Sequence, residues 1–131
     1  MPASTAREVV DRFLGAVESR DVDAVAECFA PDATYQNVPH PPYEGREAIR
    51  ELFGRALGRC DKVRWDIVTE SDGEDRVWLE RVDRFWVAGV EYAIECNGVW
   101  DVDVATSSIT AVRDYLDYHV WLERSAPMRN A

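Results

Sequence analysis

The sequence is poor in basic residues: 15 lysines and arginines stand against 25 aspartates and glutamates, giving a formal net charge of −10. Nucleic acids and anionic membrane surfaces are recognised through basic patches. The charge balance therefore predicts that neither is a partner. The chain also lacks an apolar run near the ~20 residues that cross a bilayer, so no membrane span is expected.

Cysteine and histidine are scarce as well. The three cysteines, Cys28, Cys60 and Cys96, are scattered, which fits neither a disulfide framework nor a zinc motif. Two histidines are too few for a His-rich metal site. The first residues lack the basic-then-apolar order of a secretory signal. We therefore expect a cytoplasmic protein with reduced cysteines and no metal.

What is present describes an ordinary globular chain, with 47% hydrophobic and 31% charged residues. Its 131 residues are enough for one core and too few for two, and no repeat, linker or low-complexity segment divides them. We therefore expect one domain over residues 1–131.

The first part of the chain carries helical patterns. Ser4 or Thr5 can cap a helix with apolar residues from Val9 to Val17, and Asp21 can cap a shorter helix. A short strand at 33–38 and a proline-rich loop follow, and then a third helix runs from 46 to 58.

The second part reads as four strands. They are predicted at 63–70, 76–88, 90–104 and 108–121, joined by short turns that favour an antiparallel meander. The order α-α-β-α-β-β-β-β predicts an α+β fold. In this fold a curved, mostly antiparallel sheet wraps three N-terminal helices, and the expected shape is a cone with a deep pocket.

Three charged residues fall on apolar strand faces. Arg81 and Asp83 alternate in step with Val77, Leu79 and Phe85, and Asp114 shares a face with Val112 and Leu116. An Arg–Asp pair two apart on a strand is commonly only a surface ion pair. Ionised groups on an apolar face are costly unless they are paired. The pattern therefore favours a buried cluster that could perform acid–base chemistry.

The opposite face of the second long strand carries an aromatic stripe formed by Trp78, Val82 and Trp86. Such a stripe is too apolar to leave in water. It predicts a homodimer contact, with burial under the chain's own C-terminus as the alternative.

The motifs together resemble a known family. Residues 29–33 and 45–49 look like the nuclear transport factor 2-like superfamily, which includes ketosteroid isomerases and SnoaL-like polyketide cyclases. A narrower resemblance rests on Tyr35-Gln36-Asn37, Glu80-Arg81-Val82-Asp83 and the run at 113–117, which are similar to the limonene-1,2-epoxide hydrolase family.

That resemblance implies five catalytic residues. Asp114 would be the base, Asp83 the acid and Arg81 the bridge between them, while Tyr35 and Asn37 would hold the attacking water. The roles suit the chemistry, since opening an epoxide with water needs both a base and an acid. Two aspartates separated by an arginine can share one proton.

The sequence is therefore interpreted as a cofactor-independent hydrolase that converts a hydrophobic epoxide to a vicinal diol. Leu79, Phe85, Ile94 and Leu116 are predicted to hold the substrate. Two alternatives remain. One is a ketosteroid-isomerase-like or SnoaL-like isomerase or cyclase, and the other is a non-catalytic small-molecule binding module.

Overall fold

A computed structural model describes residues 4–129. The helices are α1 (Ala6–Glu18), α2 (Val22–Glu27), α3 (Arg46–Gly58), α4 (Tyr118–Arg124) and α5 (Ala126–Arg129). The strands are β1 (Phe29–Val38), β2 (Tyr43–Glu44), β3 (Lys62–Asp72), β4 (Arg76–Val87), β5 (Val90–Asp103) and β6 (Ser108–Tyr115). Within the described residues, no helix has the length and apolar character of a transmembrane span.

The N-terminal helices begin at the predicted caps. Thr5, rather than Ser4, caps α1 through a capping box in which its hydroxyl and the Glu8 backbone N lie 3.1 Å apart. The Asp21 carboxylate caps α2 by accepting from the backbone N–H of Ala24. The apolar face of α1 is buried, and its Phe13 meets Phe29 edge-on at 5.6 Å. These contacts attach the helices to one face of the sheet.

The six strands form one open sheet in the order β2-β1-β6-β5-β4-β3. Strands β3 to β6 are an antiparallel meander, while β1 runs parallel to β6. The α+β class and the curved, mostly antiparallel sheet are therefore confirmed, and the cone shape stays a prediction. The tight β4–β5 hairpin turns at Ala88 and Gly89, both with positive φ, as such two-residue turns require.

The prediction of a strand over 108–121 was wrong at its C-terminal end. Strand β6 stops at Tyr115, and α4 begins at Tyr118 because the Asp117 carboxylate accepts from the backbone N–H of Val120. The alternation of Leu116, Tyr118 and Val120 imitated a strand. A capping aspartate followed by helically spaced residues overrides that alternation.

Strand β1 begins earlier than predicted, at Phe29 rather than Ala33. Its ladder with β6 is interrupted between Phe29 and Thr34. Pro31 lies in this interruption, where its missing N–H breaks no pairing. Helix α2 correspondingly ends at Glu27, just before this strand.

The outer face of β4 carries the aromatic stripe of Trp78, Val82 and Trp86. Trp78 is 42% exposed, and the Lys62 ammonium lies 4.8 Å from the ring centre of Trp86. Helix α4 reaches this face of the sheet through Arg124, which binds Glu95 at 2.9 Å, and through Val120, which lines a shallow depression together with Val82. The C-terminal helices thus leave Trp78 partly in solvent.

We predict that this stripe forms a homodimer interface. Light scattering at micromolar concentration should give about twice the chain mass of 14.9 kDa. Trp78→Glu should shift the protein to monomer, because a carboxylate would be buried at the contact. A wild-type protein that is monomeric at this concentration would contradict the prediction.

Candidate active site

A cavity of about 520 Å³ opens between the inner face of the sheet, α3 and the two C-terminal helices. The strands contribute its polar wall, which includes Tyr35, Asn37, Asp83 and Asp114. The volume is in the range of small-molecule sites.

The polar wall is organised by one guanidinium. Arg81 holds Asp83 in two contacts, Nε to Oδ1 at 2.7 Å and Nη2 to Oδ2 at 3.1 Å. The same Nη2 donates to Asp114 Oδ1 at 3.0 Å. Tyr35 Oη donates to the other oxygen of Asp114 at 2.6 Å. The four side chains therefore form one continuous hydrogen-bonded chain.

Strand register brings these residues together. On β4 and β5, Arg81 pairs with Cys96, and on β5 and β6, Gly98 pairs with Asp114. The parallel pairing of β1 with β6 sets Asn37 beside Asp114. Four neighbouring strands thus each supply a part of the wall. A slip of one residue in any of them would turn its contribution to the other face.

The guanidinium packs over two indoles and against a glycine. Its carbon is 4.6 Å from the ring centre of Trp65 and 5.1 Å from that of Trp100. A Cβ at Gly98 would be 2.4 Å from Arg81 Nη1 and 2.6 Å from Asp114 Oδ1. Only a residue without a side chain allows this approach.

Burial and charge act on the group in opposite directions. Burial raises the pKa of Asp83 from its usual 3.8 to about 6, even though the Arg81 charge favours ionisation. Burial alone would lower the pKa of Arg81, but Asp114 and Asp83 raise it well above its usual range. Burial and the Asp114 charge hold the pKa of Tyr35 well above its usual range. Near neutral pH the site thus contains one permanent cation and a carboxyl group poised to exchange a proton.

The structure brings the five predicted catalytic residues together, although their roles stay predictions. Tyr35, Asn37, Asp83 and Asp114 line the cavity, and Arg81 lies fully buried behind the two carboxylates.

Of the predicted substrate-binding residues, Phe85, Ile94 and Leu116 line the cavity. Leu79 does not line the cavity and packs instead in the hydrophobic core at 1% exposure. It shares the inner face of β4 but lies one step past Arg81, away from Asp83. A shared strand face does not show how deep along the strand the cavity reaches.

Several cavity residues were missed from sequence. Tyr118, Trp121, Leu122 and Ser125 line the cavity from the C-terminal helices, and Cys96 lines it from β5. The signal for the helix was present as the spacing 118, 121, 122 and 125, which places residues on one helical face. Trp121 packs against Phe85, with ring centres 5.8 Å apart.

Comparison with known proteins gives a consistent assignment. The SnoaL-like domain model matches residues 10–116. The epoxide hydrolase EphG of Mycobacterium tuberculosis is 30% identical over 112 residues, covering 84% of this chain and 72% of that protein.

Solved structures agree on the fold. An LEH-like epoxide hydrolase from M. tuberculosis superposes with a TM-score of 0.79 at 26% identity, over 95% of this chain and 92% of the other. A putative SnoaL-like polyketide cyclase from Shewanella denitrificans superposes with a TM-score of 0.82 at 14% identity, over 93% of this chain and 97% of the other. The chain therefore belongs to the SnoaL-like family, of the nuclear transport factor 2-like fold, and is similar to an epoxide hydrolase of M. tuberculosis.

Proposed function

We propose that the protein is an epoxide hydrolase that adds water to a hydrophobic epoxide in one step, without a cofactor. One observation carries the proposal: a single buried arginine bridges two carboxylates that both reach the same cavity. Sequence identities of 30% with EphG and 26% with the LEH-like epoxide hydrolase support the same chemistry.

Asp114 is placed to act as the base. Its two oxygens accept hydrogen bonds from Arg81 and Tyr35, which fixes the plane of the carboxylate. A carboxylate offers about four lone-pair sites, so acceptor positions remain for a water in the cavity. A base held in this way loses little orientational freedom when it takes the proton.

Asp83 is suited to act as the acid. Its raised pKa, about 6, keeps a useful protonated fraction near neutral pH. The protonated group gives its proton to the epoxide oxygen as the C–O bond breaks, while water attacks carbon and passes a proton to Asp114. One proton then returns from Asp114 to Asp83 before the next turnover, and Arg81 remains charged throughout.

Tyr35 and Asn37 are placed to position the attacking water. The Tyr35 hydroxyl donates a hydrogen bond to Asp114, which leaves its oxygen free to accept a hydrogen bond from a water molecule. The Asn37 side chain lines the cavity beside Asp114 and makes no hydrogen bond within the described part of the chain. Asp114, Tyr35 and Asn37 therefore offer a water three partners of suitable chemistry.

The apolar wall fits a hydrophobic substrate. Phe85, Ile94 and Leu116 line the cavity near the two aspartates, and Trp121 and Leu122 face them from α4. Burial of apolar substrate surface here excludes bulk water and strengthens the electrostatic interactions at the reacting carbon.

An isomerase or cyclase on the same fold is the second candidate, supported by the overall likeness to a SnoaL-like cyclase structure. Proton transfer beside a carbonyl needs a base and neutral donors for an oxyanion. An arginine between two carboxylates adds little to that reaction. A non-catalytic binding module would need no ionisable groups in its wall.

We predict one solvent oxygen atom in each molecule of product. In heavy-oxygen water, a single turnover with a panel of hydrophobic epoxides should give singly labelled diols, and peptide mass analysis should find no label in Asp83 or Asp114. Label in an aspartate would indicate a covalent two-step route. Product without label would reject hydrolysis in favour of an isomerase or cyclase.

Removing either carboxylate should abolish most turnover. Asp83→Asn and Asp114→Asn should each lower kcat by roughly two to four orders of magnitude, the usual effect of losing a general acid or base. Asp21→Asn is the matched control, because Asn also caps a helix and Asp21 lies outside the cavity. Near-native turnover in a folded Asp83 or Asp114 variant would contradict the role of that residue.

The pH profile should report Asp83. Because the acid must be protonated, kcat/KM should fall about tenfold per pH unit at pH values above about 6, the raised pKa of Asp83.

The same raised pKa affects stability. The folded state holds this proton more tightly than the unfolded chain, so the associated stability is present below about pH 4 and is lost as pH rises through about 6. Denaturant titrations should show wild type losing stability relative to Asp83→Asn across this window. A constant difference between the two proteins would contradict the assignment.

A further inference from the structure

We propose that the substrate is an amphiphile with a carboxylate head, and that Arg55 and Arg59 bind this head at the mouth of the cavity. The proposal rests on the proposed epoxide hydrolysis and adds the substrate class. It places the epoxide against the aspartates, the apolar body along the cavity wall and the anionic head at the rim.

The rim is cationic in an acidic protein. Arg55, Arg59 and Arg129 all line the cavity and are exposed to solvent. Among residues 4–129, the only carboxylates that line it are Asp83 and Asp114, which Arg81 already holds. The chain carries a formal net charge of −10 and would repel an anionic substrate as a whole. A local cluster of positive charge at the opening would offset that repulsion and guide an anion to the cavity.

Most other arginines in the described residues are paired. Salt bridges to carboxylates hold Arg7, Arg50, Arg64, Arg76, Arg81, Arg84, Arg113 and Arg124. Between residues 4 and 129, no carboxylate lies within 4.0 Å of Arg55 or Arg59, and neither side chain donates a hydrogen bond. Their guanidinium donors are therefore available to a ligand.

A role in ending α3 does not account for this placement. Arg55 lies in the last turn of α3 and Arg59 at its C-cap, where a cation is favourable. That interaction needs only proximity to the helix end. The Cys60 carbonyl just beyond it already accepts from Arg20. Neither the charge interaction with the helix end nor the capping of the Cys60 carbonyl requires Arg55 and Arg59 to lie at the cavity rim.

A carboxylate matches this rim chemically. Guanidinium groups bind carboxylates through paired, charge-assisted hydrogen bonds. Arg129 lines the same cavity from α5, held by hydrogen bonds to Ser125 Oγ and the Leu122 carbonyl. An acid with an apolar chain can thus satisfy the rim and the wall together, whereas a neutral terpene would leave the rim unused.

The test compares matched pairs of probes. A homologous series of ω-epoxy carboxylic acids and their methyl esters is assayed with wild type, with the double variant Arg55→Gln/Arg59→Gln, and with Arg12→Gln as control. Arg12 is an exposed arginine of α1 outside the cavity lining. In parallel, binding of a saturated carboxylic acid and its methyl ester is measured by calorimetry.

We expect wild type to prefer the acids. In the double variant, KM for the acid should rise by roughly 5- to 20-fold, because two partly exposed ion pairs are lost. Its kcat for the acid and its KM for the ester should change little. Added salt should raise KM for the acid alone. Arg12→Gln should match wild type.

The outcomes separate the two proposals. Hydrolysis of acid and ester with equal KM, or a preference that the double variant keeps, overturns the carboxylate site and leaves the hydrolase intact. Absence of hydrolysis together with arginine-dependent binding of the saturated acid overturns the hydrolase and supports the head-group site. Absence of both hydrolysis and binding preference overturns both.

Discussion

The buried charge of Arg81 constrains most of the inner sheet. A guanidinium with no solvent contact is tolerated only where its charge is balanced. Its Nε and Nη2 donate to carboxylates, while Nη1 has no hydrogen-bond partner among the described residues. Here Asp83 and Asp114 balance it from β4 and β6, and the rings of Trp65 and Trp100 pack against it. The register of β3 to β6 must satisfy all these contacts together, so the arginine fixes strand alignment as well as the chemistry of the cavity.

The same constraint separates the two carboxylates. Both contact Arg81, yet Asp114 also accepts from Tyr35, whereas the side chain of Asp83 accepts from Arg81 alone among the described residues. Unequal surroundings for a pair of acids are a common route to an acid and a base in one site. In the proposed reaction the apolar wall selects the substrate, and burial keeps Asp83 able to hold a proton beside the charged arginine.

The sheet and the charged wall could be predicted because their signals are local. Alternation along β4 and β6 shows that Arg81, Asp83 and Asp114 face an apolar side, and such charges must be paired. The end of β6 could not be predicted in this way, since Leu116 to Val120 fits a strand until Asp117 is recognised as a cap. Because helix α4 was missed, the cavity residues that it supplies, such as Trp121 and Leu122, were not predicted either. Leu79 shows a different limit, because alternation gives the face of a residue but not its distance from the cavity.

Gly98 has a consequence for relatives of this protein. A strand interior gains nothing from glycine, which costs about 0.5–1 kcal/mol there relative to alanine. In this sheet the residue is compatible with a bridged aspartate pair only because it leaves room for Arg81 Nη1 and Asp114 Oδ1. A family member with any larger residue at the equivalent place must seat its arginine differently or lack it. That one position therefore works as a marker, readable from sequence, of which SnoaL-like proteins can build this charge arrangement.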